Sequence, residues 1–241
     1  MKIALMIVGL AALVLTVSVV TGPDRFLKGL VAEQIEPVDE SLNHSRLDSI
    51  VHVLAYKEAL LELSKQDSIQ LVLDLKASAV YLTIHGVPVF QSLISEQELD
   101  AFLNKFSNGV YRKVFQKPLP VAHTYATIVK EPVIEQQAPK TPEEAMAVAY
   151  MPDTIQDESV YLYLELANGI GIGLEQSNRH SLTDLAAYLK YKKEVYLRRW
   201  SNHWDHKWYQ YQPEITARLP KEDLKAIYRA LSDSPQVVVY Y

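Results

Sequence analysis

The chain has 241 residues, a formal charge of −5, and 49% hydrophobic against 22% charged residues, the balance of an ordinary folded protein rather than a disordered one. Its acidic total argues against a surface built throughout for nucleic acid. Having no cysteine, it can have no disulfides, thiol nucleophiles, cysteine zinc sites or iron–sulfur clusters.

Residues 3–20 contain only Ile, Ala, Leu, Met, Val, Gly, Thr and Ser. As a helix they would span about 27 Å, close to the hydrocarbon thickness of a bilayer. The competing reading, a cleaved signal peptide, requires a charged start, a shorter apolar run and a small-residue cleavage site. Here the start carries only Lys2, and the one small residue in place, Gly22, precedes Pro23. The expectation is therefore a transmembrane anchor over residues 1–22, with Ile3, Leu10, Leu15 and Val20 facing lipid. Positive charge at the two ends is nearly tied, Lys2 and the amino terminus against Arg25 and Lys28. The lack of thiols leans toward an oxidising compartment, so the expected localisation is a single-pass inner-membrane protein with a periplasmic body.

Residues 23–66 are read as a tether followed by an amphipathic helix. The mixed residues 22–40, with Pro23 and Pro37, leave the membrane. Leu47, Ile50, Val51, Leu54 and Leu61 then recur at helical spacing, predicting a helix over residues 45–64 that packs this stripe on its own domain. A stalk pairing with a partner or a second copy would want a longer heptad run.

Residues 67–241 form the expected body, of α+β class, with mostly antiparallel sheet and flanking helices. Ile69, Leu71, Leu73 and Leu75 alternate with wetter residues, then Val80, Leu82 and Ile84 follow a turn at Ala77-Ser78. With Gly86 before residues 87–91, this predicts a three-stranded meander. Ser95 with Glu98 forms a capping signature, so a helix is expected over residues 96–106, ending near Asn108-Gly109. Residues 121–130 read as a strand. A proline-rich linker then interrupts the body at about 131–158, with a short helix after Thr141-Pro142.

Asn168-Gly169 joins residues 159–167 to residues 170–176 as a hairpin in which both turn residues can take positive φ. Gly169, Gly171 and Gly173 fall on every second residue with no Lys-Ser/Thr after them. They therefore read as a bare strand face for close packing, not as a phosphate loop. A helix capped by Ser181 or Thr183 should carry Leu182, Leu185, Leu189 and Val195 or Tyr196 as its stripe, to about residue 199. Residues 214–219 read as a strand. Pro220 opens a helix bearing Leu224, Ile227, Tyr228 and Leu231, and residues 236–241 are a final strand.

No Gly-x-Ser-x-Gly turn and no dinucleotide fingerprint is present, and no cofactor is expected. His203 and His206, with Asp205 between them, are the only metal-like pair, and no fixed spacing supplies further ligands. Residues 188–211 are more unusual. They hold all three tryptophans, five tyrosines and six cations against Glu194 and Asp205. Tyr196, Trp200, Trp204 and Trp208 recur at i+4, beside Arg198 and Arg199. Such residues suit a partner hot spot, a membrane interface belt, or stacking on sugars or bases; equally, the tryptophans can be core.

Asp74-Leu75-Lys76 through Gly86, and the helix at residues 221–230 followed by Val237-Val238-Val239, resemble the two ends of L,D-transpeptidase domains of cell-wall enzymes. That resemblance implies a His-Gly-Cys signature with a downstream Arg. The nearest local sequence, Arg179-His180-Ser181, has no cysteine, so catalysis by that route is absent. The resulting expectation is a membrane-anchored, non-catalytic binding or scaffold subunit of a cell-envelope assembly. It would have protein partners, no nucleic-acid partner, and homo-oligomerisation left open. The alternative is a cell-wall-directed enzyme or glycan-binding module.

Overall fold

The computed structural model describes residues 22–24, 26–29, 47–130, 158–178, 181–204 and 211–241, with the side chains of residues 199–204 excepted. The fold is α+β. In chain order it contains α1 (Asp48–Leu63), β1 (Gln70–Asp74), β2 (Ala79–Ile84), β3 (Val87–Leu93), β4 (Glu96–Leu99), a 3₁₀ turn (Leu103–Lys105), α2 (Asn108–Phe115) and β5 (Leu119–Ala126). Then follow β6 (Tyr161–Leu166), β7 (Gly171–Gln176), α3 (Leu182–Trp204), β8 (Glu214–Leu219), α4 (Lys221–Ala230) and β9 (Gln236–Tyr240). Among the described residues the strands form one nine-stranded sheet in the order β3-β2-β1-β9-β5-β6-β7-β8-β4. Every pairing is antiparallel except β1 with β9 and β7 with β8.

The two outermost strands, β3 and β4, are consecutive in sequence and separated only by Ile94 and Ser95. The sheet must therefore curl until its ends approach. The bend lies in β5, where Leu119 and Pro120 pair with β9 while residues from Val121 onward pair with β6 across a register shift. Leu71, Leu73, Val237 and Val239 face the main core from one half, and Leu162, Leu164, Ile172, Leu174, Ile215 and Ala217 from the other. Into it pack Val110, Tyr111, Val114 and Phe115 of α2 and Leu224 and Ile227 of α4. Phe26 and Leu27, in the stretch expected to be a tether, also pack against this core; Phe26 meets Phe102 edge-on at 5.4 Å.

The opposite face of the sheet is covered by two helices. Val72 and Val238 meet Ala59 and Leu63 of α1. Tyr161 and Tyr163 meet Tyr191 and Val195 of α3, the crossover helix between the parallel strands β7 and β8.

The three-stranded meander forms as expected, and its second turn places His85 at φ 48° and Gly86 at φ 74° between β2 and β3. The Asp74 carboxylate accepts from the Ala77 amide at 2.8 Å in the first turn. Several expectations change. β1 has no wetter face: all five of its residues are buried, because α1 covers the side away from the core. Residues 96–99 are strand, not helix. Glu96 and Glu98 alternate outward to Arg218 of β8, and Phe102 and Leu103 turn into the core. The helix instead starts later, at Asn108, with the Ser107 side chain accepting from the Val110 amide.

In the β6–β7 hairpin only Gly169 has positive φ. The Gly169 amide donates to Leu166 and the Leu166 amide to Ile170, giving a three-residue loop closed by a glycine bulge instead of a two-residue turn. The terminal β9 lies inside the sheet between β1 and β5. Among the described residues no helix is long and apolar enough to cross a membrane. The anchor over residues 1–22, with Ile3, Leu10, Leu15 and Val20, lies outside the described residues apart from Gly22, and so does nearly all of the linker at 131–158.

Candidate functional site

The outer face of the β6–β7–β8 half is shaped by two glycines. A β-carbon on Gly171 would come within 2.9 Å of Cζ of Tyr163, and one on Gly173 within 3.1 Å of the Tyr191 hydroxyl and 3.2 Å of Glu214. The bare face expected from the alternating glycines is thus occupied by tyrosine rings. Tyr161 and Tyr191 stack at 5.3 Å, and Tyr188 and Tyr125 flank them.

Polar groups surround this aromatic layer. Glu175, 1% exposed, lies 2.9 Å from Lys192 and 3.6 Å from Arg218. Lys192 also approaches Glu214 at 3.7 Å and the rings of Tyr188 and Tyr191 at 5.6 and 5.5 Å. Burial alone would lower the Lys192 pKa, but the hydrogen bond to Glu175 and the field of Glu214 outweigh it, so it is raised. Arg218 behaves likewise: desolvation is overcome by Glu96 and Glu175, and it ion-pairs with Glu96 on the charged outer strand β4.

The N-terminus of α3 is fastened by a polar knot. Asp184 Oδ1 accepts from the Ser159 hydroxyl at 2.5 Å and from Gln176 Nε2 at 3.1 Å. Its Oδ2 accepts from the Ser181 amide at 3.1 Å, while the Asp184 amide donates to Ser181 Oγ at 3.0 Å. This is a reciprocal capping box with aspartate in the glutamate position. The hydroxyl donors of Ser159 and Ser181 hold the Asp184 carboxyl well below the usual carboxylate range.

These contacts fix which side of α3 is buried, and it is not the expected leucine stripe. Asp184, Tyr188, Tyr191 and Val195, at helical spacing, face the sheet. Leu182 (86% exposed), Leu185, Leu189, Tyr196 (62%) and Leu197 form an outward apolar row. Among the described side chains of α3, the exposed charges are Lys190, Lys193 and Arg198, all cationic.

α1 is rotated in the same sense. Val51, Ala55, Ala59 and Leu63 are buried, whereas Ile50, Leu54 and Leu61 of the expected stripe are exposed, with exposed Lys57 and Glu62 on the same helix. Alanines at the contact let α1 approach the sheet closely, and Glu58 ties it to Arg112 of α2 at 2.9 Å. Leaving a large aliphatic side chain in water forgoes about 1.5–3 kcal/mol of burial. Single exposed leucines are ordinary, whereas contiguous rows mark interaction surfaces.

Of the predicted partner-binding residues, Tyr196 projects outward, and the Arg198 guanidinium lies 5.7 Å from the Tyr125 ring centre. Arg199, Trp200, Trp204 and His203 belong to α3, but their side chains lie outside the described residues, as do Trp208 and His206 altogether. The ends of the aromatic stretch are structural. Tyr188 and Tyr191 pack on the sheet, and Tyr211 meets Phe102 at 5.6 Å. Leucine spacing does not point to the outward rows of α1 and α3. Their signal was present in the alternative i+4 series Val51-Ala55-Ala59-Leu63 and Asp184-Tyr188, which compete with the leucine stripes. Among the described residues no group of three or more His, Asp or Glu could hold a metal ion.

No protein-family model matches the chain, and neither curated proteins nor solved structures gave a match.

Proposed function

We propose that the chain is a membrane-anchored, non-catalytic extracytoplasmic binding or scaffold subunit of a cell-envelope protein assembly. The observation that carries this reading is the disposition of α1 and α3. Each closes one half of the sheet's outer face with one side and presents an apolar row to solvent with the other. Around Ile50, Leu54 and Leu61 the charges are of both signs, Lys57 and Glu62. An apolar centre with a mixed polar rim suits a protein partner. The uncharged residues 3–20 support placement at a membrane.

The test is copurification of the full-length chain in mild detergent with identification of its companions. A defined companion that is lost from Leu54→Asp with Leu61→Asp supports the reading. A chain that emerges alone, or a defined enzymatic turnover by the purified protein, contradicts it.

A further inference from the structure

We propose that the outward face of α3 rests on an anionic lipid surface, its axis in the membrane plane, with Leu182, Leu185, Leu189 and Tyr196 among the acyl-chain ends and Lys190 and Lys193 at the phosphates. This goes beyond the scaffold reading and does not depend on it.

The assignment rests on the difference between the two exposed rows. α1 is flanked by charges of both signs, but among the described side chains of α3 every exposed charge is positive; of its carboxylates, Asp184 is buried in the capping knot and Glu194 is half-buried. Among the described side chains, a row of aliphatic groups whose fully exposed charges are all cations complements an anionic headgroup layer, whereas a protein partner would need a matching acidic rim. The helix has 23 residues and so runs about 34 Å, a length usual for helices lying in an interface. Lys193 stands within the row, and a lysine stem can bury its methylenes while its ammonium reaches the headgroups. Tyr196 adds a side chain with an apolar body and a polar tip, the kind enriched at that depth. Docking needs no rearrangement of the fold, because Tyr188, Tyr191 and Val195 already hold the other side of α3 on the sheet.

The chain has no cysteine, so a single introduced thiol gives a uniquely placed label. Full-length Leu189→Cys, with Leu185→Cys as a second site and Leu61→Cys on α1 as a control, is labelled with a fluorophore. Each is placed in nanodiscs of phosphatidylcholine alone or of phosphatidylcholine with phosphatidylglycerol, and quenched with aqueous acrylamide. The comparison is between lipids, so any hold exerted by residues 3–20 is common to both arms. The expected result is protection of the labels at 189 and 185 only in the phosphatidylglycerol discs, with the label at 61 quenched alike in both. Lys190→Gln with Lys193→Gln should weaken docking roughly thirtyfold, from about 1 kcal/mol for each cation near an anionic surface. Equal quenching at 189 in the two lipids overturns the proposal. So does protection that persists in phosphatidylcholine and in detergent, which would mean that a protein covers the face. Neither outcome bears on whether companions copurify.

Discussion

The Lys192 ammonium lies 2.9 Å from the carboxylate of Glu175, and this contact ties the middle of α3 to the strand it crosses over from. Glu175 is almost wholly buried and faces two cations, Lys192 and the more distant Arg218. Breaking a buried pair by removing one partner costs about 3–5 kcal/mol. Lys192 is 37% exposed and Arg218 remains, so Lys192→Met should cost less, about 2 kcal/mol. Adding Glu175→Gln should recover part of that loss. Urea unfolding of the two single variants and the double variant gives the coupling directly.

The glycines of β7 should be unequal. At Gly171 an added methyl meets the ring carbons of Tyr163 as well as its hydroxyl, whereas at Gly173 it meets only the ends of the Tyr191, Glu214 and Thr216 side chains. Gly171→Ala should therefore destabilise by about 2–3 kcal/mol, and Gly173→Ala by about 1 kcal/mol. Combining Gly171→Ala with Tyr163→Ala should cost less than the sum of the two changes, as read in thermal unfolding.

How legible this was follows from the same residues. The meander, the glycine face, the β6–β7 hairpin and the last three elements could be read from the sequence, because each is set by local chemistry: a period of two, positive-φ glycines, or proline opening a helix. The faces of α1 and α3 could not be read from leucine spacing. Both helices are apolar on two sides, and the sheet selects alanines on one and tyrosines on the other because these fit its surface. Residues 96–99 defeated the capping signature for a related reason. Their pairing with β8 sets Glu96 directly opposite Arg218 and brings Glu98, diagonal to it, within 3.4 Å. Within the aromatic stretch the spacing alone does not separate the roles: Tyr196 is exposed, whereas Tyr188 and Tyr191 pack on the sheet.

Asp184 should make stability depend on acid. Its folded pKa lies below the unfolded value, so its contribution is complete above about pH 4 and is lost as pH falls further, toward the folded pKa. Asp184→Asn gives up charge-assisted acceptance from Ser159 and Gln176 and should cost about 2 kcal/mol at neutral pH. The gap between wild type and variant should then narrow below about pH 4. Denaturant midpoints measured across that range check both statements.

His52 should add a second pH dependence, at higher pH. Its ring stacks on Tyr111 at 3.6 Å and its Nδ1 lies 3.2 Å from the Tyr241 carbonyl. Burial lowers its pKa, so near and below about pH 6.5 the unfolded chain binds more protons than the folded one, and stability decreases as the pH is lowered. His52→Gln should flatten this part of the profile. An unchanged midpoint-against-pH curve in the variant would assign the dependence elsewhere.

The scaffold reading is tested most directly by photocrosslinking from α1. A photoreactive residue replaces Leu54 or Leu61 of the full-length chain in its native membrane, with exposed Lys117 as the control position. The account predicts one and the same adduct from positions 54 and 61 and none from 117. Absence of any adduct from both α1 positions, with the chain running as a lone monomer in mild detergent, would contradict it.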